Sequence, residues 1–166
     1  MDYHVARILL LIDAFTTPAA SLEGLTKLAK LDFLLRYPSF LEQMLRGSGI
    51  PWPTGQQPSA AEQLAVESRM MRYKYGPWDD RYYAIVGCLL GSGLADSVIG
   101  KKRVALRTSP IGRARAEELA KRAAWQVVAQ RCRLLKKYFD VSGNSLKERI
   151  YRELPEVVDR PQRELI

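Results

Sequence analysis

Apolar residues recur at the three-and-four spacing of an α-helix in a series of short stretches, and prolines and glycines cut each stretch off. That pattern restricts the chain to packed helices with few strands. Val5, Ile8, Leu9, Ile12 and Phe15 define one face of a first helix. Thr16-Thr17-Pro18 ends it, because proline cannot donate to the helical ladder. Ser21 is a candidate N-cap for a second helix, with Glu23 in its first turn, although Gly24 leaves the capping box incomplete. That helix carries Leu25, Leu28, Leu31 and Leu35 on one side and runs to about Arg36, where Tyr37-Pro38 breaks it. A short third helix turns Phe40, Leu41, Met44 and Leu45 inward, with Gly47 at its C-terminal cap.

Residues 48–58 read as a loop of glycines, serines and prolines. Trp52 stands there between two prolines, either packing the loop onto its own domain or serving as a docking anchor. A fourth helix is expected from Ser59, where Glu62 completes a capping box, through Leu64, Val66, Met70 and Met71 to Gly76-Pro77. A fifth is expected from Trp78-Asp79-Asp80, with Tyr82, Ile85, Val86, Leu89 and Leu90 inward. Ala95 to Ile99, the turn Gly100-Lys101-Lys102 and Arg103 to Thr108 read as a two-stranded hairpin. Ser109-Pro110 then opens a long helix that reaches Phe139. Ser145, with Glu148, caps a last short helix that Pro155 ends. The expected fold is mainly α: a helical bundle with a winged-helix segment, whose wing is the short two-stranded β hairpin, and a long C-terminal helix. It divides into an N-terminal helical segment at 1–47, a loop at 48–58, the winged-helix segment with its long following helix at 59–140, and a short helix and tail at 141–166, all within one compact domain.

Hydrophobic residues make up 47% of the chain, enough for a core. The apolar run Ile8-Leu9-Leu10-Leu11-Ile12, closed by Asp13, is far short of the roughly 20 residues that span a bilayer. No small-residue cleavage site follows it, so a secretory signal is not expected. Cys88 and Cys132 have no paired spacing, and Cys88, between apolar residues, is expected to be inert. The expected location is the cytoplasm. The net charge of +8 is uneven. Residues 1–100 hold 9 Lys and Arg against 10 Asp and Glu, whereas residues 101–166 hold 17 against 8. All the positive excess therefore sits in the last two fifths, which suits nucleic acid or an acidic protein face.

The chain carries no set of catalytic residues. It has neither a phosphate-binding glycine loop followed by lysine nor a nucleophile elbow, and Cys-x-x-Cys zinc spacing is missing as well. His4 is its only histidine and reads as a surface residue. Asp79-Asp80 reads as an acidic first turn stabilising the positive end of a helix rather than a metal site. No catalytic residue, metal or cofactor is expected. Two constellations remain. Arg69, Arg72, Tyr73, Tyr75, Pro77, Trp78, Asp79 and Arg81 interleave arginine with aromatic residues, the composition of protein hot spots and of stacking surfaces. Lys101, Lys102, Arg103 and Arg107 of the wing, with Arg113 and Arg115 of the next helix, have the reach and charge to meet phosphates without reading sequence.

The segments LTKLAKLDFLLRYPSFLEQML and MMRYKYGPWDDRYYAIVGCLLGSGL, with the wing RVALRTSPIGRARAEELA, resemble the middle components of bacterial ABC-three-component systems, among them the small subunit of Lamassu-type antiphage defence. The resemblance spans about Leu25 to Leu119, and Tyr-Gly-Pro-Trp-Asp is its most specific piece. It implies a non-catalytic accessory subunit that bridges an SMC-like ATPase to an effector nuclease, with a sequence-independent DNA contact, no membrane and no small-molecule substrate. It carries no catalytic residues across. The competing expectation is a winged-helix transcription regulator that dimerises on a palindromic operator. Against it, the candidate recognition helix from Asp79 to Leu90 starts acidic and holds Arg81 as its only cation.

Overall fold

The computed structural model of the chain describes residues 1–60, 62, 70–73, 76–99, 104–158 and 161. The first helix, α1 (Tyr3–Phe15), is the pillar of the fold. Asp2 caps it by accepting from the His4 N–H at 2.8 Å. The sequence predicts one apolar face, yet every residue from Val5 to Ile12 is buried. The reason is its neighbours: α1 is surrounded by α2 (Leu25–Arg36), α4 (Tyr82–Gly91), α5 (Pro110–Lys121), α6 (Ala123–Phe139) and strand β5 (Val104–Thr108). Fully burying each leucine or isoleucine of α1 stabilises the fold by about 1.5–3 kcal/mol.

Between α1 and α2 the chain makes a short strand, β1 (Leu22–Glu23), so Ser21 is not the cap of α2. Gly24 takes that position at φ 82°, a conformation that favours glycine, and its N–H reaches Val104 O at 3.1 Å. The strand β1 pairs with β5, and β5 pairs with β4 (Ala95–Ile99), giving an antiparallel sheet in the order β1-β5-β4. The expected hairpin is therefore present, one strand wider than the sequence indicated; Lys101, Lys102 and Arg103 at its turn lie outside the described residues. Helix α3 (Pro38–Gly47) follows the expected pattern and buries Leu41, Met44 and Leu45. Trp52 packs against the core, and its Nε1–H donates to Gln56 O, so it holds the 48–58 loop onto the domain.

Several further expectations fail. The fourth helix does not continue to Gly76, since β2 (Met71–Tyr73) and β3 (Gly76–Trp78) pair as a second hairpin; Leu64 and Val66 lie outside the described residues. The Met70 N–H donates to the Tyr37 hydroxyl at 2.9 Å rather than to a helical carbonyl, and Gly76 adopts φ 118°. Trp78 consequently ends a strand, and α4 starts at Tyr82. The long helix from Pro110 breaks at Arg122, which is extended at φ −78° and ψ 133°. The break accompanies a change of buried face: α5 buries Gly112, Ala116 and Leu119, a stripe whose continuation would first meet the exposed Ala123 and Gln126, whereas α6 buries Ala129, Arg131, Cys132, Leu134, Leu135 and Phe139. Two helices let both stripes face the core. Finally, Ser142, not Ser145, caps α7 (Gly143–Glu153), accepting from the Ser145 N–H at 3.1 Å, and Pro155 opens one more turn, α8 (Pro155–Val158).

The close seating of α5 depends on one glycine. A Cβ at Gly112 would stand 1.7 Å from Leu94 O. Gly112→Ala should therefore lower stability by about 3 kcal/mol, because backbone cannot yield as a flexible side chain does. Gly87→Ala on α4, where a Cβ meets nothing within 4 Å, should be neutral or stabilising by about 0.5–1 kcal/mol. Urea denaturation of the two variants checks this; equal midpoints would contradict the packing of α5 on Leu94.

Candidate functional site

The Gly-Pro-Trp-Asp turn sits on a buried network of charges. Helix α2 is buried on every side from Lys27 to Arg36, so its charged residues must find partners inside the protein. Asp32 accepts two bonds from Arg7 of α1, at 2.7 Å from Nε and 3.0 Å from Nη2, and a third from the Tyr82 hydroxyl of α4 at 2.7 Å. Asp32 and the Arg7 side chain are 0% and 2% exposed, which makes this a fork-to-carboxylate pair out of water. One turn on, Arg36 Nη1 lies 3.9 Å from Asp32 and donates to Asp79 Oδ2 at 3.0 Å. Asp79 also accepts from the Arg81 backbone N–H at 3.0 Å and from its guanidinium at 2.9 and 2.6 Å. Arg81 reaches His4 Nε2 at 2.9 Å, and His4 Nδ1 meets Arg7 at 3.0 Å, closing a ring across α1, α2 and the β3–α4 turn.

This geometry fixes protonation states. Burial pushes the Asp79 carboxyl up, but the hydrogen bonds from Arg81 and the charges of Arg81 and Arg36 outweigh it and hold the group at about 2. Burial raises the Tyr82 hydroxyl well above its ordinary value, so it stays a donor to Asp32. Burial, then Arg7 and Arg81, lower the His4 ring. Both its nitrogens face guanidinium N–H groups, which only donate, so a neutral imidazole can accept from one of them and an imidazolium from neither.

The expected partner-binding residues divide accordingly. Pro77 and Asp79 are buried and hold the turn. Asp79 is thus an ion-pair anchor for α2, more than a first-turn charge complementing a helix dipole. Trp78 is half-buried, with its ring 5.5 Å from Tyr82 and 5.7 Å from Tyr83. Arg81 is 43% exposed at its side chain. Arg69 and Tyr75, and the side chains of Arg72 and Tyr73, lie outside what is described. Of the expected phosphate contacts, Arg107 is half-buried opposite Asp96 in the β4–β5 register. Arg113 turns to the end of α1, 3.8 Å from Asp13, and Arg115 pairs with Glu118 at 2.6 Å. Two residues apart on α5, they occupy separate surfaces rather than one patch.

Sequence reasoning missed Arg7, Asp32 and Arg36. The signal was there: a Lys/Asp/Arg set inside a leucine-rich helix, and an arginine beside an apolar run. His4 is half-buried rather than a plain surface residue. Cys88, expected between apolar neighbours, is exposed on α4, whereas Cys132 is buried and its thiol is pushed well up by burial. The outward face of α4 consists of Tyr83, Ala84, Gly87, Cys88 and Leu90, with no charge. Among the described residues there is no cluster of His, Cys, Asp and Glu that could hold a metal ion, and no helix long and apolar enough to cross a membrane. No protein-family model, curated protein or solved structure matches the chain.

The lowered His4 has a pH signature. The unfolded chain takes up a proton near the ordinary value of 6.5, and the folded chain only below it, so this contribution to stability is full above 6.5 and lost as pH falls through the window beneath. Wild-type protein should be measurably less stable to urea at about pH 5.5 than at about pH 7.5, and His4→Gln should flatten that slope. Equal slopes in the two proteins would contradict the position of His4 between Arg7 and Arg81.

Proposed function

We propose that this chain is a non-catalytic accessory subunit of a bacterial antiphage defence complex, acting in the cytoplasm to bridge an SMC-like ATPase to an effector nuclease. Its scaffold is a winged helix: the order α1, β1, α2, α4, β4, β5 with sheet order β1-β5-β4 fits that arrangement, with α3 and the β2–β3 hairpin inserted before α4. In that frame α4 takes the place of the recognition helix.

The observation that carries the reading is the outward face of α4. Base edges and phosphates call for arginine, lysine, asparagine or glutamine, and Tyr83, Ala84, Gly87, Cys88 and Leu90 supply none. Small side chains at Ala84 and Gly87 allow close approach by a partner helix, and Tyr83, 67% exposed beside Trp78, supplies an aromatic anchor. The same stretch holds the Gly-Pro-Trp-Asp segment on which the resemblance to the defence subunits is strongest. The uncharged face weighs against a sequence-reading regulator.

The test is co-expression of the tagged chain with the SMC-like ATPase subunit encoded beside it. Wild-type chain should co-purify with the ATPase, and Cys88 should lose its reactivity to a soluble maleimide on assembly. Ala84→Glu and Gly87→Arg, which add charge on the exposed face of α4, should reduce capture by about tenfold, equivalent to about 1.4 kcal/mol, without lowering the urea midpoint. A chain that instead dimerises alone and protects one DNA sequence from cleavage would sink the subunit reading and promote the regulator.

A further inference from the structure

Behind the charge ring, the start of α1, the end of α2 and the first half of α6 enclose a cavity of about 270 Å³ lined by Tyr3, Arg7, Arg36, Glu62 and Arg131, among others. The guanidiniums around this single cavity come from α1, α2 and α6, and all are withdrawn from water: the side chains of Arg7 and Arg36 are 2% exposed and that of Arg131 9%. Arg7 spends its N–H groups on Asp32 and His4. Arg131 does not: its Nη2 donates to Glu62 Oε1 at 2.8 Å, but its buried Nε–H has no acceptor among the described residues. A buried charged donor left unsatisfied costs about 1–3 kcal/mol or more, and it is uncommon in folded proteins without a ligand or water to meet it. Glu62 itself is 40% exposed and also caps Ser59, so the carboxylate that faces Arg131 stands at the mouth of the cavity rather than at its floor.

We propose that this cavity binds a phosphate oxyanion, free or carried as the terminal group of a nucleoside monophosphate, with Arg131 as its principal donor in a pocket that Arg7 and Arg36 also line. A phosphate offers several acceptor oxygens and can take the Arg131 Nε–H while the guanidinium keeps or exchanges its contact with Glu62. Tyr3, 40% exposed, lines the same cavity, with its ring stacked on Trp125 at 5.1 Å and 5.5 Å from the Arg7 guanidinium, and supplies an aromatic wall beside the phosphate. This inference does not rest on the subunit reading.

The experiment follows the Arg131 Nε–H resonance of the full chain, identified by its loss in Arg131→Lys, while sodium phosphate replaces sodium chloride at constant ionic strength. A saturable shift with a dissociation constant of about 1 mM or tighter is expected. Arg131→Gln should weaken phosphate binding at least about tenfold, measured by calorimetry, as expected for loss of a charge-assisted donor. Glu62→Gln, which keeps the capping geometry but removes the competing charge, should tighten it several-fold. If Arg131 only anchored Glu62, that variant would leave phosphate affinity unchanged. Displacement of phosphate by adenosine monophosphate at lower concentration assigns the site to a nucleotide; equal affinity assigns it to the phosphate group alone. An Arg131 resonance that does not saturate, or phosphate binding equal in wild type and Arg131→Gln, overturns the proposal.

Discussion

The pairing of Arg7 with Asp32 in the centre of the molecule governs the rest of the structure. A carboxylate and a guanidinium fully removed from water demand each other, and Asp32 has capacity left for a third donor. Tyr82 takes it, which fixes α4 against α1 and α2. Arg36, one turn along α2, extends the network to Asp79 and thereby to the β3–α4 turn. An apolar contact could hold these helices together, but it would allow them to slide. A closed set of directional bonds does not, and this is how a turn of a few residues presents Trp78, Arg81 and the outward face of α4 in one arrangement.

Much of the fold was legible in the residues. Helical spacing and proline punctuation placed α1, α2 and α3, and alternation placed the β4–β5 hairpin, because these signals are local. The failures came where a long-range contact overrode local preference. Met70 lies in a run that reads as helix, yet it gives its N–H to a tyrosine far earlier in the chain. The break at Arg122 has no proline or glycine to announce it; only the change in phase between the Gly112-Ala116-Leu119 and Ala129-Cys132-Leu135 stripes does. The strand β1 is two residues long, and only its partner in β5 makes it a strand.

The site was legible in part. Interleaved arginine and aromatic residues around Trp78 drew attention to this turn, but composition could not separate residues that build it from residues that it displays. Pro77 and Asp79 build; Arg81 and Tyr83 are displayed. The basic excess of the last two fifths was equally visible, yet three of its described arginines go to separate places. Arg131 goes inside to the cavity, Arg113 to the end of α1 and Arg115 to Glu118. Charge counted along a chain marks a partner surface only when the fold gathers it on one face.

The ring of charges through Asp32, Arg36 and Asp79, rather than apolar packing alone, holds the β3–α4 corner in place. A double-mutant cycle across the bond that closes the corner on α2 tests this most directly, using Arg36→Gln, Asp79→Asn and the combined variant in urea denaturation at neutral pH. A coupling energy of about 2 kcal/mol or more between the two positions is expected. Additive losses, with coupling near zero, would contradict it and leave the corner to the packing of Trp78 and Tyr82.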